Sequence, residues 1–402
     1  VKILILSNVV PFPPNSGYPI VVYNTIKGLL KLDVAVTLFS INPTRYRVDV
    51  DDIYDPVFEQ INFHSHEIDT EVNIWGAFFN IFSNQSYNVS RFFDDDAGRL
   101  LENILKEEEF DVIQFESLFV VPYLDLVKQY NRKAKLIYRA HHIEFDVWER
   151  LAAREHFRPR RKYLEFLSKR LKRYETDQLN RFDQVFAISD PDRQKILLMG
   201  CETRLAVFPV ALEFERYQVD VAKISFPTLF HLGAMNWRPN KEGLEWFLDE
   251  IWPDIEKLSG ELRFYIAGKS MQKQFFDYDS ENLIVEGEVF DAVEFMNSKA
   301  IMIVPLLSGS GMRVKIIEGM AMQKCIIATT MAAEGINCES GKDIMIADTA
   351  DEFYRAILQC ITQPNKWREI GLNARKTAER DHEIHRNAAR MVAIYQSLIA
   401  QE

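Results

Sequence analysis

Arg313 and Lys315 stand just after three small residues, Ser308, Gly309 and Gly311, and just before Glu318. Small residues let a backbone approach a ligand closely, and a turn that feeds a helix presents unbonded N–H groups and the positive end of the helix dipole. Two cationic side chains at that point add full charges, so the run has the makings of a phosphate site. Glu318, one to two helical turns further on, is suited to accept hydrogen bonds from sugar hydroxyls. Phosphate and ribose are both provided for. The bland alternative is an ordinary strand–turn–helix unit that happens to carry an Arg and a Lys.

Such a turn needs a strand before it and a helix behind it, and the pattern supplies both. Apolar runs at 2–7, 34–40, 112–115, 135–139, 184–188 and 205–208 alternate with helical periodicity through the first half. A second series follows at 228–232, 263–267, 283–285, 301–304, 326–328 and 344–346. Continuous apolar strands between helices are the mark of parallel α/β sheets covered on both faces. His64 and His66 alternate on another strand-like stretch and read as solvent-facing or structural. A helix is predicted over 242–257, and a final one over 388–400. Two α/β halves joined near 211–226 is the simplest organisation, with ligands at the carboxyl ends of strands.

Size and composition fit this reading. The 402 residues suffice for two domains, and 47% hydrophobic with 27% charged content is ordinary for a globular protein. No apolar run is long enough to span a membrane, and the short apolar stretch 1–7 reads as a first buried strand rather than a signal peptide. Four cysteines without a Cys-x-x-Cys pair argue for a reducing compartment and against zinc. In the cytoplasm the sequons at Asn84 and Asn88 would carry no glycan. A net charge of −11 argues against nucleic acid as a partner.

The run from Pro305 to Met322 resembles the donor-site signature of family 4 retaining glycosyltransferases, also called glycosyl transferases group 1. That family has the GT-B fold, two Rossmann-like parallel-sheet domains facing a central cleft. Two glutamates bracket the family's motif; Glu318 matches the second, while Ser310 stands where the first is expected. A sub-branch with Gly-x-Gly-x-Arg-x-Lys at that place is similar to this chain. The resemblance implies domains at 1–212 on the acceptor side and 213–385 for the nucleotide sugar, with residues 386–402 crossing back to the first. It further implies donor contacts from Gly268, from Ser310, Gly311 and Glu318, and from main-chain groups around Val289 that read the base. After Gly233 many relatives carry arginine where this chain has Ala234, so the diphosphate charge falls to Arg238 or Lys241.

In the first half, Gly17 matches a loop glycine that approaches donor phosphate and acceptor. Arg139-Ala140-His141-His142-Ile143-Glu144 resembles the family's His-Asn-x-Glu, which makes His141 the residue contacting the transferred sugar, with His142 replacing asparagine. Asp-x-Asp triplets at 94–96, 190–192 and 277–279 are chance hits in an acidic chain, the first two reading as helix N-termini. No metal and no cofactor is expected, only a nucleotide-diphosphate sugar as substrate. The helix-rich stretch 149–181 is strongly basic, with interleaved aromatics. It reads either as a solvated face or as a peripheral contact with an anionic membrane at the inner face of the plasma membrane, where a lipid-linked acceptor would reside. Trp75, Phe78, Phe79 and Phe82 are candidates for an adjoining apolar contact.

The activity so implied is transfer of a sugar with retention to a hydroxyl of a saccharide or lipid-linked acceptor, in polysaccharide or glycolipid assembly. His141, Arg313 and Lys315 would carry the chemistry without a metal. Two alternatives stay open: a non-catalytic nucleotide-sugar-binding partner subunit, and an epimerase of the same fold.

Overall fold

The computed structural model describes residues 1–14, 17–71, 87–278, 280–309, 311–363 and 365–401. Ser310 and the aromatic group Trp75, Phe78, Phe79 and Phe82 therefore lie outside the described residues. The chain divides into two compact units, Val1–Ala211 with Ile384–Glu402, and Leu212–Glu383.

The first unit holds a parallel sheet of seven strands: β1 (Lys2–Ser7), β2 (Ala35–Pro43), β3 (Asn62–Ile68), β4 (Val112–Phe115), β5 (Lys135–Ala140), β6 (Gln184–Ala187) and β7 (Arg204–Val207). Their order is β3-β2-β1-β4-β5-β6-β7, so the winding reverses between β1 and β4. Period-2 alternation shows why β1 must be central. Ile3 and Ile5 pack into one core with Phe186, Met391 and Leu398, while Leu4 and Leu6 pack into the opposite one with Ile113 and Phe115. Each such burial contributes about 1.5–3 kcal/mol, enough to fix this strand between two helical layers. The final helix, Ile384–Ile399, begins one turn earlier than the sequence predicts and belongs to this unit, where Tyr395 is fully buried.

The second unit is a parallel sheet of six: β8 (Thr228–Leu232), β9 (Arg263–Ala267), β10 (Leu283–Gly287), β11 (Ile301–Val304), β12 (Cys325–Ala328) and β13 (Met345–Ile346). The order β10-β9-β8-β11-β12-β13 reverses between β8 and β11. The helix predicted over 242–257 is shorter than expected. It runs Arg238–Glu250, Ile251 departs from helical geometry at φ −120°, and a single turn follows at Trp252–Ile255. Pro253 explains the break, since it cannot donate to the carbonyl four residues back and its ring crowds that turn.

Candidate active site

In the second unit the switch between β8 and β11 brings two loops together, the glycine-rich turn after β11 and the segment after β8. Glycine is required at Gly268, with φ +153°, because an added Cβ would lie 1.8 Å from the Gly233 carbonyl oxygen. The turn itself takes left-handed conformations at Gly309 (φ +115°) and Gly311 (φ +81°). It ends at Arg313, the residue that caps the Val314–Ala321 helix. The Arg313 guanidinium is buried, donates to the Gly311 carbonyl and lies 5.5 Å from the Trp237 ring centroid.

Lys315, in the first turn of that helix, donates from Nζ to Asn240 Oδ1 at 2.7 Å. Asn240 is itself oriented by donating Nδ2 to the Ala234 carbonyl at 3.0 Å, so one carboxamide ties both loops. Burial, reinforced by the Arg313 charge, pushes the Lys315 ammonium down to about 7. The turn thus carries one permanent cation and one that titrates near neutrality. Beneath it the buried His231 bonds the Ile303 carbonyl through Nδ1 at 2.9 Å, and burial with the Lys315 charge lowers its pKa to about 3. Glu318 accepts a hydrogen bond from Tyr217 Oη at 3.0 Å; burial raises its pKa against the opposing effects of Tyr217 and Arg216.

Other expected donor contacts are placed less directly. Arg238 is largely exposed and pairs with Glu242 at 2.5 Å, and Lys241 stands 3.7 Å from Glu245, so each has a carboxylate on its own helix. Val289 is half-buried just beyond Gly287, whose carbonyl accepts the Gly268 N–H at 2.7 Å. Gly17 begins the Gly17–Leu30 helix, exposed, and a Cβ there would meet nothing within 4 Å.

In the first unit, the switch between β1 and β4 opens into a cavity of about 550 Å³ lined by Asn8, Tyr18, Tyr46, His141, His142 and Glu144, among others. His141 is buried at its edge, with Nε2 2.6 Å from Glu116 Oε2 and the Tyr18 ring 4.5 Å away. Burial pushes the Glu116 pKa up, but Arg139, 3.8 Å away, and His141 outweigh it and hold the carboxyl below its usual range. Burial lowers His141 as well, against the pull of Glu116. The arrangement is a neutral imidazole donating Nε2–H to a carboxylate, which leaves Nδ1 as an acceptor. Glu116 also accepts from Gln114 Nε2, and Gln114 Oε1 accepts from Tyr395 Oη at 2.6 Å. His142, next along the chain, is exposed. Among the described residues no group of three His, Cys, Asp or Glu is placed to hold a metal ion.

Two family models account for most of the chain. The model for Glycosyltransferase Family 4 matches residues 16–216, and that for Glycosyl transferases group 1 matches residues 226–363. The chain belongs to glycosyltransferase family 4. A curated relative, an uncharacterized 44.6 kDa protein in the cps region of Klebsiella pneumoniae, is 22% identical over 93% of this chain and 94% of its own length. Among solved structures, sucrose-phosphate synthase from Thermosynechococcus elongatus superposes with a TM-score of 0.72 at 14% identity, covering 100% of both chains. HepE from Anabaena in complex with UDP does so at 0.68 and 15% identity, covering 99% of this chain and 100% of its own. The same Anabaena protein with UDP-glucose superposes at 0.65 and 15% identity, covering 98% and 99%. Two Rossmann-like parallel sheets with these neighbours make the fold GT-B.

Family membership makes the chain a transferase of sugar from nucleotide-sugar donors. Several residues of this family 4 protein that build the site are not among those singled out in the sequence. Glu116 is the plainest: an acid directly after the buried run of β4 is a signal in itself. Tyr18, Asn240 and Tyr217 leave no such signal, because their roles arise only from packing against His141, Lys315 and Glu318.

Proposed function

We propose that this chain is a retaining, metal-independent glycosyltransferase that moves a hexosyl unit from a nucleoside-diphosphate sugar to a hydroxyl of a saccharide or lipid-linked acceptor. The observation that carries the reading is the fixed cationic turn, Arg313 against Trp237 and Lys315 on Asn240. Arg313, Lys315 and the amides of the Val314–Ala321 helix stabilise charge as it grows on the leaving diphosphate. Lys315 binds as ammonium, which the diphosphate favours. Glu318, held by Tyr217, takes the ribose hydroxyls. His141, neutral and fixed by Glu116, orients the transferred sugar through its free acceptor nitrogen. No side chain serves as a covalent nucleophile.

Uridine donors come first for testing, because the Anabaena relative binds UDP and UDP-glucose. The cps-region relative fits work in polysaccharide or glycolipid assembly. No helix among the described residues is long and apolar enough to cross a membrane. In this reading a lipid-linked acceptor is met peripherally, from the cytoplasmic side. The Arg158–Leu179 helix suits that contact, with Phe157, Tyr163 and Phe166 exposed among its basic residues. The reading is tested by nucleotide-sugar turnover with purified protein, with and without EDTA. Hydrolysis or transfer of at least one donor, unaffected by EDTA, is expected. Donor binding without turnover would make the chain a non-catalytic partner, and loss restored by Mn²⁺ would overturn metal independence.

A further inference from the structure

A second cavity, of about 360 Å³, adjoins the one that holds His141; Asn8, Val9 and Tyr46 line both. It lies at the carboxyl ends of β2 and β3, with Pro43 and Thr70 in its wall, and Arg45 and Arg91 face it. Neither arginine has a carboxylate partner among the described residues. The Arg91 Nε is buried without a hydrogen-bond partner, as is Asn8 Oδ1. The Phe92 ring lies 5.3 Å from the Arg91 guanidinium. Burial lowers the Arg91 pKa, and Arg45 lowers it further, so two like charges share one small concavity. Among the described residues Glu71 is the one acidic residue lining this cavity, and it is exposed.

Two guanidiniums that face one cavity, with a single exposed carboxylate in its described lining and no ion pair to it, form an anion site. A planar fork of N–H donors matches phosphoryl oxygens bidentately, and a pair of cations matches a dianion better than a monoanion. We propose that Arg45 and Arg91 bind a phosphoryl group carried by the acceptor, whose attacking hydroxyl lies in the adjoining cavity beside His141. The inference rests on the reading that the first unit takes the acceptor. The phosphoryl group is either that of a soluble sugar phosphate or that of a lipid-linked one.

Binding separates these ideas without relying on turnover. Calorimetry with the full chain would use glucose 1-phosphate, farnesyl diphosphate in detergent micelles, glucose and glucuronate, each with and without saturating UDP. At least one phosphorylated probe should bind in the presence of UDP, with affinity falling as salt rises. Binding of glucose 1-phosphate assigns the soluble source; binding of the farnesyl probe alone assigns the lipid-linked one. Arg91→Gln should weaken that probe about tenfold or more and leave UDP affinity unchanged. Arg45→Gln, at an exposed position that does not endanger folding, should do the same. Displacement of the probe by UDP, equal binding of glucuronate, or unchanged affinity in a folded Arg45→Gln protein would overturn the proposal. Failure of UDP itself to bind would instead count against the donor reading of the second unit.

Discussion

Lys315 shows how a single side chain can be both charge and switch. Its ammonium is held by one neutral oxygen, Asn240 Oδ1, and burial brings its pKa to about 7. A diphosphate favours the charged form, so above about pH 7 donor binding must take up a proton. Donor affinity should therefore fall as pH rises from about 7 to 9, by up to roughly tenfold per unit. Lys315→Arg, always charged, should flatten that slope. Calorimetry across this range checks it, and a flat wild-type profile would count against Lys315 facing phosphate. Lys315→Ala should keep measurable donor binding yet slow the chemical step by roughly 10²-fold, the size seen for lost electrostatic stabilisers. Single-turnover kinetics at saturating donor give the answer. For Glu318→Ala, weaker nucleoside-diphosphate binding is expected, by about 1.5–3 kcal/mol for each hydroxyl hydrogen bond to a charged acceptor. Unchanged affinity would remove Glu318 from the site.

At the scale of elements, one helix caps another through an acid. Glu175, on the Arg158–Leu179 helix, accepts the N–H groups of Glu144 at 3.2 Å and Phe145 at 3.3 Å, which open the Glu144–Arg154 helix. Burial raises Glu175 to about 8, with the Glu144 carboxyl adding to it, and burial alone raises Glu144 to about 7. Both groups hold protons in the folded chain that the unfolded chain has lost above roughly pH 4–5. Their contribution to stability is thus full in acid and declines as pH rises through about 7–8. Glu175→Gln mimics the protonated state, so its melting temperature should fall less than that of the wild type between about pH 5 and 9. Equal slopes would show that neither carboxyl titrates in this window. Glu144 also lines the His141 cavity, so the same titration reaches that cavity.

On the scale of the whole molecule, the chain returns at Ile384 to complete the unit it began with. The last helix supplies Met391, Tyr395 and Leu398 to the core under β1, and Tyr395 Oη is the donor that fixes Gln114. Gln114 in turn holds Glu116, the partner of His141. Tyr395→Phe should therefore cost about 1–3 kcal/mol of stability by leaving a buried acceptor unmet. It should also lower turnover, although Tyr395 touches no ligand. Calorimetric unfolding together with donor turnover checks both, and an unchanged protein would show that Gln114 holds Glu116 unaided.

Local rules settled much of this protein before any packing is known. Period-2 and continuous apolar runs place the strands within two residues, because burial on both faces leaves no polar alternation to blur them, except that β2 runs three residues past its expected end to Pro43. The glycine-rich turn was legible because glycines, Arg313, Lys315 and Glu318 are close neighbours in the chain. Tertiary structure alone decided which charges stay available. Arg238 and Lys241 have carboxylates one turn away on their own helix, whereas Arg45 and Arg91, far apart in sequence, face one cavity and pair with no carboxylate among the described residues. It also decided the support of His141, since Tyr18, Glu116, Gln114 and Tyr395 come from a helix, the β4 end and the chain's last helix. A hydrogen bond between residues 281 positions apart leaves no spacing to read. Such contacts are set by how sheets wind and helices pack, and only the folded chain brings them together.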